Sequence, residues 1–354
     1  MEQPKVSVIM PVWGVEKYVG RAVESILGQT LRDIELLCVD DGSPDDSGRI
    51  LDLYASRDVR MRVFHQENAG APAARNLAMN HARGEYLCFV DADDWAEPSM
   101  LEDLYNLGHK HALELVVSGF FIDTYCDDAE TDCFRQVLQV PDQVFSTPQE
   151  FHEQAYRLFD KNQFYPPWNK LYLRSYIEEH GLRFPSTFWD DFPFVLSVLR
   201  DVEKVGVTEK PYYHFIRARA ESETARYREG MYEKREEEHE WMLDLYRHWG
   251  VDDPDSMEMI YRRYSERLVG CVENVTCSDC TLPAAQKRAQ IEKMITADHA
   301  RTALELTKPR STMMRLMLWP MRKGMPRLTY LEGKFISFVK SHSTKVFSKL
   351  KASR

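Results

Sequence analysis

Three carboxylates crowd into four positions of the stretch LCFVDADDWAEP, residues 87–98, directly after an apolar run: Asp91, Asp93 and Asp94. At about 5 Å and an effective dielectric of about 20, each neighbouring pair would repel by roughly 3 kcal/mol. A bound cation would relieve that repulsion, and hard divalent ions such as Mn2+ and Mg2+ prefer oxygen ligands. The alternative is an Asp-rich turn that leaves a strand and caps the next helix.

Apolar runs alternate with helical patterns four times in the first 95 residues. The runs are VSVIMPV, ELLCVD, RVFHQ and EYLCFV, at residues 6–12, 35–40, 62–66 and 85–90. This alternation predicts an α/β fold with a parallel sheet whose strands are buried on both faces. Such sheets bind ligands outside the carboxyl ends of their strands. We therefore expect Asp40, Asp41 and the acidic trio to converge on one crevice.

The turn after the first strand reads MPVWGVEKY and holds a single glycine. It therefore lacks the G-x-G-x-x-G pattern that cradles a pyrophosphate with backbone N–H groups, and no G-x-x-x-x-G-K-[ST] follows elsewhere. A phosphate would have to be held another way. The sequence accordingly predicts that Asp91, Asp93 and Asp94 hold Mn2+ or Mg2+, which in turn binds a diphosphate.

Three segments carry a family resemblance: VSVIMPVWGVEKYVGRAVESILGQT, ELLCVDDGSPDDS and NAGAPAARNLAMNHARGEYLCFVDADD. Together they closely resemble the catalytic domain of family 2 glycosyltransferases of the GT-A fold, over about the first 105 residues. The resemblance implies a Rossmann-like, mostly parallel central sheet flanked by helices. It also implies transfer of one sugar from a nucleoside diphosphate sugar, with inversion at the anomeric carbon.

The same resemblance assigns roles in the acidic trio. Asp91-Ala92-Asp93 would be the D-x-D motif, with Asp93 the direct metal ligand, Asp91 near the ribose or the metal, and Asp94 supporting them.

On the nucleotide side the resemblance implies that Pro11, Val12 and Glu16 line the pocket and that Asp41 contacts the base. Arg75, in the ARN segment, would reach the nucleotide. The alternative for Arg75 is an ion pair on a helix surface.

A second resemblance lies downstream, in PPWNKLYLRSYIEEHGLRFPSTFWDDFPF. It is similar to a segment of bacterial polysaccharide-building members, in which a Glu-Asp pair stands where this chain has Asp190 and Asp191. Inversion needs a carboxylate to take the proton of the attacking hydroxyl, and Asp191 is the candidate base. Asp190 would orient or cap, and Trp168 would stack on a sugar ring. The alternatives are helix capping for Asp191 and core packing for Trp168.

The segment PYYHFIRARAESETARY matches a place where family members carry a tyrosine-rich strand, an arginine and a serine. By that match, Arg217, Arg219 and Ser222 lie on a loop over the diphosphate, since guanidinium groups suit phosphate oxygens. The alternative is a solvated basic loop. We expect His214 to be a packed histidine rather than a metal ligand.

The predicted domains are a catalytic domain at 1–225, a helical region at 226–308 and a basic tail at 309–354. The catalytic domain divides into a nucleotide-sugar half up to about 105 and an acceptor half at 106–225. The tail holds eleven Lys or Arg and one acid, Glu332, although the whole chain carries −10.

We expect the tail to form an amphipathic helix on an anionic membrane. Its apolar side would comprise Phe335, Ile336, Phe338, Val339, Val346, Phe347 and Leu350. The alternative is a basic helix docked on the acidic body.

The remaining composition narrows the setting. No apolar stretch of about 18 residues occurs, and seven cysteines, an odd number, suit a reducing compartment. We therefore expect a cytoplasmic enzyme at the inner face of the cell membrane, with a nucleoside diphosphate sugar donor and a glycan or lipid-linked acceptor. The acidic body argues against a nucleic acid partner. The alternatives are a sugar nucleotidyltransferase and a non-catalytic, degenerate transferase acting as an assembly module.

Overall fold

The computed structural model describes residues 3–125, 133–217 and 227–342. The chain divides into two compact units, Met1–Ala218 and Arg219–Arg354. We call them the sheet unit and the helical unit.

The sheet unit begins with four strands that alternate with three helices, as the sequence predicts. In chain order they are β1 Val6–Val12, α1 Val19–Leu27, β2 Ile34–Asp40, α2 Ser47–Ala55, β3 Met61–His65, α3 Ala71–His81 and β4 Tyr86–Phe89. The strands pair in parallel in the order β3-β2-β1-β4. All seven residues of β2 are buried, because helices cover both faces of a parallel sheet.

The second half of this unit extends the same sheet with mixed pairing. Its elements are β5 Trp95–Ala96, α4 Met100–His111, β6 Leu115–Tyr125, β7 Cys133–Leu138, β8 Gln143–Val144, α5 Pro148–Asp160, β9 Lys170–Leu173, α6 Arg174–Glu179, α7 Asp191–Asp201 and β10 Val205–Arg217. Strand β9 lies antiparallel between β4 and β6, and β10 runs parallel to β6. The α/β fold with a central sheet is confirmed, and the sheet is parallel only in its first half and mixed beyond it.

The topology brings distant segments to one edge of the sheet. The carboxyl ends of β1, β2 and β4 lie side by side, since these strands are parallel neighbours. The end of β10 reaches the same edge, because the backbone N–H of Ile216 donates to the Asp94 carboxylate just beyond β4. This edge therefore collects the residues that the sequence singled out.

The helical unit is built around its longest described helix, Pro254–Thr276, which packs against the other helices described in this unit. Its helices are α8 Met231–Trp249, α9 Pro254–Thr276, α10 Ala284–Thr296, α11 Asp298–Leu306, α12 Thr312–Arg322 and α13 Pro326–His342. Asp253 caps α9 by accepting hydrogen bonds from the backbone N–H groups of Asp255 and Ser256. Within the described ranges, no helix has the length and apolar character needed to cross a bilayer.

The described part of the basic tail packs within this unit. Residues of α12 and α13, among them Leu318 and Ile336, share one apolar core with α9, α10 and α11. Helix α13 approaches α9 closely at Gly333, where an added Cβ would lie 2.8 Å from Thr276 Oγ1 and 2.9 Å from Val272 Cγ1. Segment 309–342 is therefore docked and does not form a separate body.

The apolar side predicted for the tail is corrected by this packing. Ile336 is buried against the core, whereas Phe335 and Phe338 are exposed. Successive residues of an α-helix point about 100° apart, so Phe335 and Ile336 cannot both face the core. The side chain of Val339 and the residues Val346, Phe347 and Leu350 lie outside what the structure describes.

Candidate active site

The three aspartates after β4 have three different environments. Asp94 is 1 % exposed and accepts hydrogen bonds from Tyr213 Oη at 2.9 Å and from the backbone N–H of Ile216 at 2.7 Å. Asp91 is half-buried and accepts from Arg75. Asp93 is exposed. The trio therefore separates into one carboxylate that fixes strand β10, one in an ion pair and one that faces solvent.

The pKa values of Asp93 and Asp94 are raised, and repulsion from neighbouring carboxylates contributes to the rise. Although the side chain of Asp93 reaches solvent, the surrounding protein displaces part of its hydration, and this desolvation together with the charge of Asp91 raises the pKa of Asp93 to about 6. Burial, together with Asp93 and Asp91, also raises the pKa of Asp94. A cation at this position would stabilise the ionised form of Asp93, which is the electrostatic demand that the sequence implied.

Arg75 joins the acidic trio to the second acidic pair. Its Nη2 donates to Asp91 Oδ1, and its Nη1 donates to Asp190 Oδ2 and to Asp191 Oδ1, each at 2.9 Å. The guanidinium lies 5.0 Å from the ring centroid of Phe184, and the side chain is almost fully buried. Burial opposes its charge, but the three carboxylates outweigh burial and raise the pKa of Arg75. This arginine is therefore a fixed cation shared by both halves of the site.

Asp191 is the carboxylate best suited to take up a proton. Burial raises its pKa to about 7, Arg75 opposes the rise, and the charges of Asp190 and Asp91 add to it. Its side chain remains 39 % exposed, so the recess still opens to solvent there. A general base works best when its pKa lies near the working pH. Asp190 accepts from Arg75 and makes no side-chain cap at the start of α7, so it orients rather than caps.

The buried ammonium group of Lys170 lies close enough to Asp191 for their charges to interact. Its ammonium group is fully buried and donates to the carbonyl of Pro166 and to Asn169 Oδ1, both at 2.6 Å, and to the carbonyl of Gln163. Burial lowers the pKa of Lys170, and the charge of Asp191 opposes that change. The W-N-K segment thus anchors the turn that precedes β9.

Two turns are linked at the carboxyl ends of β1 and β2. The backbone N–H of Glu16 donates to Asp45 Oδ2, and the N–H of Asp46 donates back to Glu16 Oε2, both at 3.0 Å. Glu16, predicted to line a nucleotide pocket, thus joins the first turn to the start of α2.

Asp41 fixes the loop that leads into α3. Its carboxylate accepts from Gln66 Nε2 at 2.6 Å and from the backbone N–H groups of Ala69 and Gly70 at 2.9 and 2.8 Å. Val12 is buried and its carbonyl accepts a hydrogen bond from the backbone N–H of Asp41, whereas Pro11 is half-buried. These residues lie at the predicted edge, and their contact with a base stays a prediction.

The structure places Trp168 in the core instead of in a sugar site. It is 5 % exposed and packs on Tyr213 and Phe215, with ring centroids 4.2 and 5.7 Å away. Core packing in the W-N-K segment is therefore the observed role of this residue.

His214 is fully buried, as expected for a packed histidine. Its Nδ1 lies 2.8 Å from Asp123 Oδ2 and its Nε2 lies 3.1 Å from Glu97 Oε1, and its ring stacks on Trp95. This network fixes β10 just before the strand reaches Asp94.

The basic residues beyond β10 are only partly described. Arg217, the last residue of β10, is half-buried, and burial lowers its pKa. Arg219 and Ser222, predicted to contact the diphosphate, lie outside the described residues.

Comparison with known proteins identifies the family of this chain. The family model described as Glycosyl transferase family 2 matches residues 7–181. The uncharacterized glycosyltransferase EpsJ of Bacillus subtilis is 32 % identical over 70 % of this chain and 71 % of its own length. This chain belongs to glycosyl transferase family 2. It is accordingly a glycosyltransferase, and the predicted family is confirmed.

Further relatives of the family support the fold. The putative glycosyltransferase EpsH of Bacillus subtilis is 34 % identical over 66 % of each chain. The crystal structure of S. aureus TarS 1–349 in complex with UDP-GlcNAc matches with a TM-score of 0.65 at 18 % identity, over 93 % of this chain and 90 % of that one. A Pyrobaculum calidifontis mannosyltransferase with GDP-Man and Mn2+ matches with a TM-score of 0.50 at 16 % identity, over 94 % and 88 %. The GT-A type of fold is thus confirmed.

Asp93 and Asp91 could supply the one or two protein ligands of a metal ion that a diphosphate also binds. In the described ranges, no group of three or more His, Cys, Asp or Glu side chains could hold a metal ion. Mg2+ and similar ions commonly take one or two protein carboxylates and complete their shell with phosphate and water. Asp93 is exposed, and one oxygen of Asp91 accepts from Arg75. Asp94, predicted among the metal residues, is instead committed to Tyr213 and Ile216.

Trp13 is a further candidate residue at this edge that the motifs of the sequence do not single out. It follows β1 directly and is 55 % exposed, beside the linked turns. The next residue, Gly14, has a φ of +65°, which turns the chain away from the strand. Trp13 comes directly after a strand that is buried on both faces, yet its own side chain is exposed, so core packing does not explain an aromatic residue there. The tryptophan directly after the apolar run, in PVWG, is the signal that the sequence offered.

Proposed function

We propose that this glycosyltransferase moves a sugar from a nucleoside diphosphate sugar to a hydroxyl of a growing cell-surface polysaccharide or lipid-linked acceptor, with inversion. The observation that carries the proposal is the contact of Arg75 with Asp91 on one side and with Asp190 and Asp191 on the other. Asp91 and Asp191 follow separate strands and helices, yet one guanidinium contacts both. This contact supports a donor side at Asp91 and an acceptor side at Asp191 that lie next to each other.

Asp191 acts as the general base in this proposal. The acceptor hydroxyl oxygen forms a bond to the anomeric carbon while the bond from that carbon to the diphosphate oxygen breaks, and the leaving diphosphate keeps the electron pair. The hydroxyl proton passes to a carboxylate oxygen of Asp191. Attack opposite the leaving group inverts the anomeric carbon. The raised pKa and partial exposure of Asp191 support this role.

Arg75 acts as a positioning residue and not as a nucleotide contact. Both of its Nη atoms are engaged by carboxylates, and the side chain is almost fully buried. A planar fork that bonds three carboxylates fixes the orientation of Asp191 against β4, which a flexible ammonium group does less well.

The donor would bind at the carboxyl ends of β1, β2 and β4. Asp93, with Asp91, would hold Mn2+ or Mg2+, which when bound offsets charge on the diphosphate. Trp13 offers an exposed ring face to the base, and Arg217 with Arg219 and Ser222 would contact the diphosphate. The similar TarS structure is a complex with UDP-GlcNAc and the similar mannosyltransferase structure is a complex with GDP-Man, which supports a nucleotide-sugar donor.

A screen of nucleoside diphosphate sugars tests this function. Each is added with Mn2+, and thermal unfolding is followed, because a ligand that binds the native state raises the melting temperature. We expect one donor class to protect the chain and, with an acceptor, to release its nucleoside diphosphate. Protection by none of them would contradict the proposal.

The alternatives lack support in the site. A non-catalytic module would be expected to lose Asp93 or Asp191, and both are present and accessible. A sugar nucleotidyltransferase would need a glycine-rich, arginine-containing turn after β1, which MPVWGVEKY lacks. We place the enzyme in the cytoplasm, at the inner face of the membrane that carries a lipid-linked acceptor.

A further inference from the structure

The exposed apolar side chains of the helical unit are concentrated in one segment. Among its described residues, the exposed large hydrophobic side chains all lie between residues 306 and 338. Those of α12 and α13 are Leu316, Trp319, Leu331, Phe335 and Phe338. We call these five residues, with the basic side chains beside them, the apolar–basic surface.

Helix α13 presents two distinct apolar faces. Thr329, Gly333 and Ile336 face the core at spacings of four and three residues. Leu331, Phe335 and Phe338 repeat the same spacing on the outside, where Phe335 is 68 % and Leu331 is 60 % exposed. A helix of a globular unit normally needs one apolar stripe. The second stripe on α13 is therefore not explained by folding.

Helix α12 repeats this arrangement. Met314, Leu318 and Met321 are buried, whereas Leu316 and Trp319 are exposed, with Trp319 at 52 %. An indole that is exposed beside apolar residues is typical of membrane interfaces, because the ring is apolar and its N–H is polar.

The charge around these side chains has one sign. Residues 309–342 hold seven Lys or Arg and a single acid, Glu332. Arg315 and Lys323 are exposed on and just after α12, as are Arg327 and Lys334 on α13. The rest of the chain is strongly acidic, so this concentration of positive charge is local.

We propose that the apolar–basic surface binds the interface of an anionic lipid bilayer. The apolar side chains enter the boundary between headgroups and acyl chains, and the basic side chains contact the anionic headgroups. The helices lie on the bilayer, since neither is long and apolar enough to cross it. A second copy of this chain fits less well, because it would bring like charges together. The inference does not depend on the reaction that the sheet unit catalyses.

Point variants test the surface better than truncation, because deletion of 309–354 would uncover the core that α12 and α13 complete. The full chain is centrifuged with phosphatidylcholine vesicles and with vesicles that also contain phosphatidylglycerol. We expect binding to the anionic vesicles only, and weaker binding as salt increases. Combined Leu331→Ser, Phe335→Ser and Phe338→Ser should weaken it by about tenfold or more.

A matched control carries Leu53→Ser and Val59→Ser, which remove exposed apolar side chains from the sheet unit. It should bind as the wild type does. If the triple variant unfolds, Arg327→Glu with Lys334→Glu replaces it and should abolish binding to anionic vesicles. Wild-type binding by the triple variant or by the charge-reversal variant, or failure of the wild type to bind, overturns the proposal. A wild-type dimer that the triple variant converts to a monomer would assign the surface to a second copy instead.

Discussion

The crevice of the sheet unit and the apolar–basic surface of the helical unit use charge in opposite ways. In the crevice, three carboxylates bond to one buried arginine, and burial raises the pKa values of Asp93, Asp190 and Asp191. On the surface, basic side chains of α12 and α13 are exposed to solvent beside apolar ones, and Glu332 is the single acid of segment 309–342. Function in the crevice therefore depends on the position of single atoms, whereas binding by the surface depends on the combined contribution of many side chains.

This difference predicts how substitutions act. One atom exchanged in the crevice should change rate by orders of magnitude and leave the fold intact. One side chain changed on the surface should have a small effect, and only combinations should matter.

The largest effect is expected for Asp191→Asn. The amide cannot take the hydroxyl proton, so the rate of transfer should fall by about 100- to 10,000-fold. Calorimetry should show that the donor still binds, because the Asn side chain keeps the shape of the recess. Unchanged transfer would remove Asp191 from the mechanism.

Substitution of Arg75 should have the next largest effect. Arg75→Lys keeps the charge but cannot bond three carboxylates, so we expect kcat to fall by up to about 100-fold with donor affinity little changed. Arg83→Lys is the matched control, since Arg83 pairs with buried Glu35 at the opposite edge of the sheet. A large loss of donor affinity with kcat preserved would mean that Arg75 contacts the nucleotide.

The pH dependence of transfer should follow Asp191. The base works only when ionised, and burial raises its pKa to about 7, so the rate should fall as pH drops below about 7. Arg75 opposes that rise, and Arg75→Met should therefore move this limb to higher pH. A rate that is constant from pH 5 to 8 would contradict this assignment.

A smaller effect on stability is expected for Gly333→Ala. The added methyl group would meet Thr276 and Val272 of α9, and overpacking of this kind typically costs about 1–3 kcal/mol. Thermal unfolding should report the loss, while transfer to a water-soluble acceptor should be unchanged. No loss of stability would show that α13 is not packed closely on α9.

The sequence predicted the sheet edge well because the apolar run that forms each strand and the acidic residues that follow it are neighbours in the sequence. Continuous apolar runs fixed β1, β2 and β4 almost to the residue, and parallel order then placed their acidic ends together. The sequence could not show that Asp94 holds β10 or that Arg75 reaches Asp191, since the Arg75–Asp191 contact spans 116 positions. Long-range hydrogen bonds leave no periodic pattern.

Other failures have similar causes. Ser43 can cap a helix and Pro44 suits a first helical position, which predicts a helix start there. Helix α2 begins instead at Ser47, because the backbone N–H groups of Gly14 and Glu16 bond to Ser43 and Asp45. The aromatic Trp168 is equally compatible with a core and with a sugar site, and only its neighbours decide. On α13, spacing showed that apolar residues recur but not which stripe meets the core.

Binding of nucleoside diphosphates tests whether Asp93 holds a metal ion that binds the donor. UDP and GDP are titrated by calorimetry into the wild type, Asp93→Asn and Asp33→Asn, with Mn2+ and with a chelator. We expect one nucleotide to bind only with Mn2+ and Asp93→Asn to abolish this binding. Asp33→Asn, which changes an exposed carboxylate before β2, should leave it unchanged. Binding that survives both the chelator and Asp93→Asn would contradict the account.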